Sequence, residues 1–167
     1  MASTHFNSDG DARMVDVTGK PSTKRTATAS AQVRMNALAM QTLRDGTAGK
    51  GDVLAVARIA AISATKLTPQ MIPLCHAVPI EAVRVDFEFE ATSENTTVLV
   101  CRVVCETTYK TGIEMEAMTG VSVAALTIYD MLKSVDRAIV LGPIQLEQKS
   151  GGMSGDYQVP SDQLSSD

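Results

Sequence analysis

The chain has 167 residues, 44% of them hydrophobic and 20% charged, with a formal net charge of -4, so it can bury roughly 68–70% of its unfolded surface in one compact domain. The acidic balance excludes a broad electrostatic footprint for nucleic acid, and an anionic ligand must be held by a local cluster of lysines and arginines. No run of the sequence approaches the roughly 20 apolar residues of a membrane span, and the opening MASTHFNSDGDARM lacks the apolar core of a secretory signal.

Residues 1–13 and 158–167 are polar and without period, which predicts tails flanking a single domain over 14–157. ATASAQVRM alternates Ala27, Ala29, Ala31, Val33 and Met35 against polar residues, the period of a half-buried strand. Asn36 is placed to cap a short helix through Arg44, closed by Asp45-Gly46. A second helix is predicted from Val53 to Lys66, with Thr68-Pro69 as its stop. VRVDFEFE sets Val83, Val85, Phe87 and Phe89 against Arg84, Asp86, Glu88 and Glu90; SEN turns the chain, and TVLVCRVVCETTY returns as the other strand of a hairpin. Cys101 and Cys105 stand four apart in that strand, about 13 Å between Cα atoms, too far for a disulfide. Three unpaired thiols fit a cytoplasmic protein. A long helix from Glu114 to Val135 and a last strand, AIVLGPIQLEQ, complete the order, with Gly142-Pro143 as a bulge or edge break. The expected fold class is α+β, ferredoxin-like (split βαβ) with an inserted helix, the helices on one face of an antiparallel sheet.

The last helix raises the chemical question. Met118, Val121, Ala125, Ile128, Leu132 and Val135 form a stripe toward the sheet, yet the other side is apolar as well from Ala117 to Leu132. A second subunit is the expected cover, approaching over Gly120, Ser122, Ala124 and Ala125. Asp130 and Lys133 lie away from the stripe, and desolvation there would cost several kcal/mol per ion. The plain alternative is a surface ion pair worth ~0.2–0.5 kcal/mol.

Other polar groups are candidates to join them. GKGD offers Lys50 and backbone N–H groups at a helix start, or a simple loop with Asp52 as cap. PLCHAVP holds Cys75 and His76 in a loop, too few ligands for a structural zinc site. KTGIEMEAMTG carries Lys110, Glu114 and Glu116; Thr111 with Glu114 reads as a capping box, which leaves Glu116 without a structural reason. KSGGMSGD is Gly-rich with no helix after it, a flexible exit or a phosphate wrap but no Walker loop.

In this order MVDVTGK, KGDV, IPLCH, KTGIEMEAMTGVSVAALTIYDMLK and KSGG closely resemble the molybdenum cofactor biosynthesis protein C family, the cyclic pyranopterin monophosphate synthases, from about Met14 to Tyr157. The resemblance implies a ferredoxin-like lyase that is a hexamer, a trimer of dimers, with active sites at subunit interfaces. It further implies conversion of 3',8-cyclo-7,8-dihydroguanosine 5'-triphosphate, a GTP-derived cyclic nucleotide triphosphate, to cyclic pyranopterin monophosphate with release of pyrophosphate. Asp130 then matches the catalytic acid or base, with Lys133 and Lys50 as cationic companions. Leu74, Cys75, His76, Glu114, Met115 and Glu116 match substrate-binding segments, and Arg25 and Lys149 join Lys50 and Lys133 as candidates for the phosphates. Met153 stands where Lys is expected, and Gly120 where Ala is. No resident cofactor and no metal ligand set is implied; magnesium is compatible with a triphosphate, but no carboxylate cage stands out for it.

Two readings from other classes compete. One is a ferredoxin-like binding module: a small-ligand sensor would keep its binding and biology when Asp130 is replaced by Ala, and an RNA reader needs exposed aromatics on its sheet and a basic face. A metal carrier using Cys75, His76 and Glu116 would purify with stoichiometric metal.

Overall fold

The computed structural model describes residues 9–93 and 96–160. Five strands, β1 (Thr23–Arg34), β2 (Ala82–Ser93), β3 (Thr96–Tyr109), β4 (Val140–Ser150) and β5 (Tyr157–Gln158), form one antiparallel sheet in the order β2-β3-β1-β4-β5. Helices α1 (Ala37–Arg44), α2 (Val53–Met71) and α3 (Glu114–Leu132) complete the chain. α3 packs across β1, β3 and β4, α2 packs on β2, and the two helices lie against one another. The architecture is the α+β one expected from the sequence, with α1 inserted in the crossover from β1 to β2.

The alanine-rich β1 is the sheet's middle strand, and the alternation in its sequence has a reason. Ala27, Ala29, Ala31 and Val33 are all at 0% exposure beneath the helices, and small side chains there let α3 come close. Its polar side is buried too: Thr28, Ser30 and Gln32 are covered by β3 and β4 neighbours, with Gln148 Nε2 donating to Thr28 Oγ1. The half-buried strand expected from the alternation is therefore buried on both faces. On β2 the phenylalanines face inward, where the guanidinium groups of Arg58 and Arg44 lie over Phe87 and Phe89. The acids face outward, and Arg102 bonds Glu88, Glu90 and Glu147 at once. Among the described residues that face presents the charged network of Arg102 with Glu88, Glu90 and Glu147.

Element ends differ from expectation where one residue was given too much weight. α2 runs through Pro69 to Met71, closing with the Ile72 N–H on the Thr68 carbonyl; proline removes one donor but does not forbid a last turn. α3 stops at Leu132, with Lys133 as its C-cap rather than continuing to Val135. The irregularity expected at Gly142-Pro143 is present as a register shift between β1 and β4, with a cis peptide at that bond.

Of the segments expected as tails, residues 1–8 and 161–167 lie outside the described residues, as do Glu94 and Asn95 of the expected turn. Past residue 157, Gln158 pairs with Gln148, and Val159 is buried with its N–H on the Glu147 carbonyl. Cys75, Cys101 and Cys105 are unpaired, and burial pushes the thiols of Cys101 and Cys105 up to about 12. Among the described residues no helix is long and apolar enough to cross a membrane.

Candidate active site

α3 carries polar groups at both of its ends and an apolar body between them. The body is covered on its second side by α2, which corrects the expectation that another subunit covers it there. A Cβ on Gly120 would stand 3.0 Å from Thr65 Cγ2 of α2 and 3.1 Å from Val103 Cγ1 of β3. Ala124 and Ala125 are likewise fully buried within the chain, and Leu126, with Met115 in the first turn, is left in solvent.

At the C-terminal end Asp130 holds two lysines. Lys133 Nζ, one turn on, donates to Oδ1 at 2.8 Å, and Lys50 Nζ donates to Oδ2 at 2.7 Å and to the Asp130 carbonyl at 2.9 Å. Lys50 arrives from the loop before α2, a tight turn closed by the Gly51 N–H on the Ala48 carbonyl, with Gly51 at φ +94°. Asp52 caps α2 by accepting from Ala55 N–H, so the helix start is occupied and Lys50 is left to reach sideways. The three side chains are 48–55% exposed, in water rather than in the apolar surround that the sequence suggested. Their pKa values follow: hydrogen bonds from Lys133 and then Lys50 hold the Asp130 carboxyl down to about 2, and the same bond to Asp130 raises Lys133. Of the two opposed influences, burial and attraction, attraction wins in the single chain.

The N-terminal end of α3 gathers the other candidates. Leu74, Cys75, His76, Met115 and Glu116 line a cavity of about 600 Å³, walled on one side by the segment Val15 to Lys20. His76 Nε2 lies 2.7 Å from the Val15 carbonyl. Glu116 is 3% exposed, and burial pushes its carboxyl up to about 7, with a smaller push from Glu114. Burial, and then the charge of Glu116, also raises the Cys75 thiol. A second cavity of about 640 Å³ shares Lys20, Thr111, Gly112, Glu114 and Ser154 with the first and adds Arg25 and Lys149. Lys149 stands 3.8 Å from Glu114.

The expected capping box is absent. Ile113 is the N-cap of α3 without a side-chain bond, and the Glu114 carboxylate folds back over Gly112. Met153 is 87% exposed at the rim, so nothing replaces the expected lysine's charge there. Sequence reasoning passed over Lys20 as a site residue, although it ends the MVDVTGK stretch, and it left Lys110 without a role. Both line the larger cavity, and Lys110 Nζ donates to the Thr18 carbonyl at 2.8 Å. Among the described residues no cluster of three or more His, Cys, Asp or Glu is placed to hold a metal ion.

The two groups stand at opposite ends of a helix. From Glu114 to Asp130 the helix rise amounts to about 24 Å, so one protomer does not bring His76 and Glu116 to Asp130 and Lys133.

Comparison with known proteins settles the lineage. The model of the MoaC family matches residues 14–152, most of the described chain. The chain belongs to the MoaC family. Among similar proteins is the cyclic pyranopterin monophosphate synthase of Rhodopirellula baltica, 56% identical over 162 residues, 93% of each chain. Those of Thermomicrobium roseum and Brevibacillus brevis are 49% and 48% identical, over 96% and 92% of this chain and 95% and 94% of theirs. The match takes in both ends of α3, and with relatives named for a synthase at such identity this MoaC chain is an enzyme.

Proposed function

We propose that this enzyme, a lyase of molybdenum cofactor biosynthesis, converts 3',8-cyclo-7,8-dihydroguanosine 5'-triphosphate to cyclic pyranopterin monophosphate and pyrophosphate, in sites completed between copies of the chain. The observation that carries the reading is the split of the polar groups between the two ends of α3. One end holds the Lys50–Asp130–Lys133 cluster open to solvent, and the other holds the two cavities with Glu116 but none of that cluster.

A two-fold assembly joins the Asp130 end of one copy to the cavity end of its neighbour, which fits a homo-hexamer built as a trimer of dimers. Closure removes the lysine–aspartate cluster from water. Desolvation then works against the exposed values, raising the Asp130 carboxyl and lowering the lysines toward the range in which both can exchange protons at neutral pH. Lys50, Asp130 and Lys133 move protons at the ring being opened and reclosed. His76, Cys75, Leu74, Met115 and Glu116 hold the ring system, with Glu116 able to carry a proton near neutrality, and Arg25 and Lys149 face the phosphates. Unpaired thiols support a cytoplasmic setting.

The test is direct. Incubation of the cyclised GTP intermediate with the wild type should give both the pterin and pyrophosphate, and Lys133→Ala should slow product formation by at least about 100-fold while the oligomer persists. A wild type that yields neither product contradicts the proposal.

A further inference from the structure

We infer that Asp52 is a positioning residue for Lys50: by capping α2 it fixes the glycine-flanked turn from which the lysine reaches Asp130, and it acts through the backbone rather than through its charge. This rests on the reaction proposed above and adds what holds one of its proton-transfer groups in place.

Of the three side chains in the cluster, Asp130 is carried by α3 and Lys133 is the C-cap of that helix, whereas Lys50 stands on a loop between Gly49 and Gly51. Glycine gives such a stretch more backbone freedom than any other residue. Lys50 Nζ nevertheless meets two acceptors on one residue, the Asp130 carboxylate at 2.7 Å and the Asp130 carbonyl at 2.9 Å. The second bond satisfies a carbonyl in the last turn of α3, which no helical N–H reaches. Keeping a flexible four-carbon stem on both acceptors requires its own Cα to be held, because freedom of the loop would add to that of the side chain.

Two devices hold it. On one side Ala48 is buried in the core and its carbonyl accepts from the Gly51 N–H at 2.9 Å. On the other side Val53 is buried at the start of α2, and Asp52, with extended φ and ψ of -69° and 101°, turns the chain into the helix as its Oδ1 accepts from the Ala55 N–H at 2.9 Å. Gly51 between them takes φ +94°, and a Cβ there would meet nothing within 4 Å, so the position needs glycine for its backbone and not for space. The two side chains serve different partners, Asp52 the first turn of α2 and Lys50 the end of α3. A carboxylate on the N-terminus of α2 also disfavours a phosphate there, which leaves placement as the work of the GKGD stretch. Without the cap the first turn of α2 frays, Lys50 loses the fixed point that follows it, and a misplaced proton-transfer group costs rate even though it is still present.

Asp52→Ala should lower kcat about 10- to 100-fold with KM changed less than about twofold, because a displaced proton-transfer group weakens the transition state and not substrate binding. Asp52→Asn, an equally good cap without the charge, should keep kcat within about twofold of the wild type. Gly51→Ala keeps the cap and strains the backbone alone; it should behave as Asp52→Ala does, and it carries the test should α2 of Asp52→Ala unravel. Trace acetylation of the lysines in the intact protein, read peptide by peptide with Lys66 as internal reference, follows the placement of Lys50 without turnover. Labelling of Lys50 should rise at least about threefold in Asp52→Ala and Gly51→Ala and stay at the wild-type level in Asp52→Asn. Asparagine as damaging as alanine would show that the charge acts directly, and unchanged Lys50 labelling in Asp52→Ala would show a cap with no hold on the lysine; either overturns the assignment. Labelling as described in a protein that turns over no cyclised GTP intermediate would support the placement and contradict the reaction.

Discussion

Glu116 occupies the first turn of α3 with 3% of its surface exposed and a carboxyl pushed up to about 7 by burial. Folded protein therefore keeps this proton to near neutrality, whereas the unfolded chain releases it near 4.5. Below 4.5 both states are protonated and the residue costs nothing. As pH rises from there toward 7 the unfolded state loses its proton first, so stability falls, by about 3 kcal/mol when the change is complete. Glu116→Gln abolishes that slope, and chemical denaturation at pH 4.5 and at pH 8 should show the wild type losing stability relative to the variant by this amount; parallel profiles would mean that the carboxyl is not held protonated. The sequence singles Glu116 out because it lies inside the helix before the apolar run, and its burial is the physical form of that discrepancy. The pKa direction at Asp130 was not legible in the same way. Two lysines bond it in the open, and one of them, Lys50, comes from 80 residues away, so no helical spacing reports it.

At the scale of elements, the alternation in β1 and β2, the caps at Asn36 and Asp52 and the irregularity at Gly142-Pro143 were legible because each is a local consequence of residue type. What was not legible is how elements share surfaces. α3 reads as apolar all round, and a sequence cannot say whether α2 or another molecule covers its second side. Gly120 decides it, since its missing side chain is where Thr65 and Val103 close in. Gly120→Val should destabilise the fold by about 1–3 kcal/mol through overpacking, read as a lowered denaturation midpoint with an unchanged slope. An unaltered midpoint would show that α2 and α3 have slack at this crossing. Lys20 was overlooked, and Lys110 left without a role, for a related reason: strand β1 and the loop before α3 are far apart in the chain and meet only when β1 takes the centre of the sheet.

At the scale of the whole molecule, the fold places the Lys50–Asp130–Lys133 cluster and the cavity lined by His76 and Glu116 at the two ends of one helix, about 24 Å apart. Folding alone does not unite them; the proposed function has association do so. The resemblance placed both sets of residues in one family pattern, but position along the chain carries no information about which copy supplies each. The decisive measurement is complementation. Asp130→Ala and His76→Ala, each inactive alone, are mixed, dissociated and reassembled, and turnover of the cyclised GTP intermediate is followed. Shared sites predict that activity returns to about a quarter of the wild-type value, because random pairing restores one intact site in each mixed dimer. Activity no greater than that of either variant alone would show that each chain works with its own residues and would contradict the account.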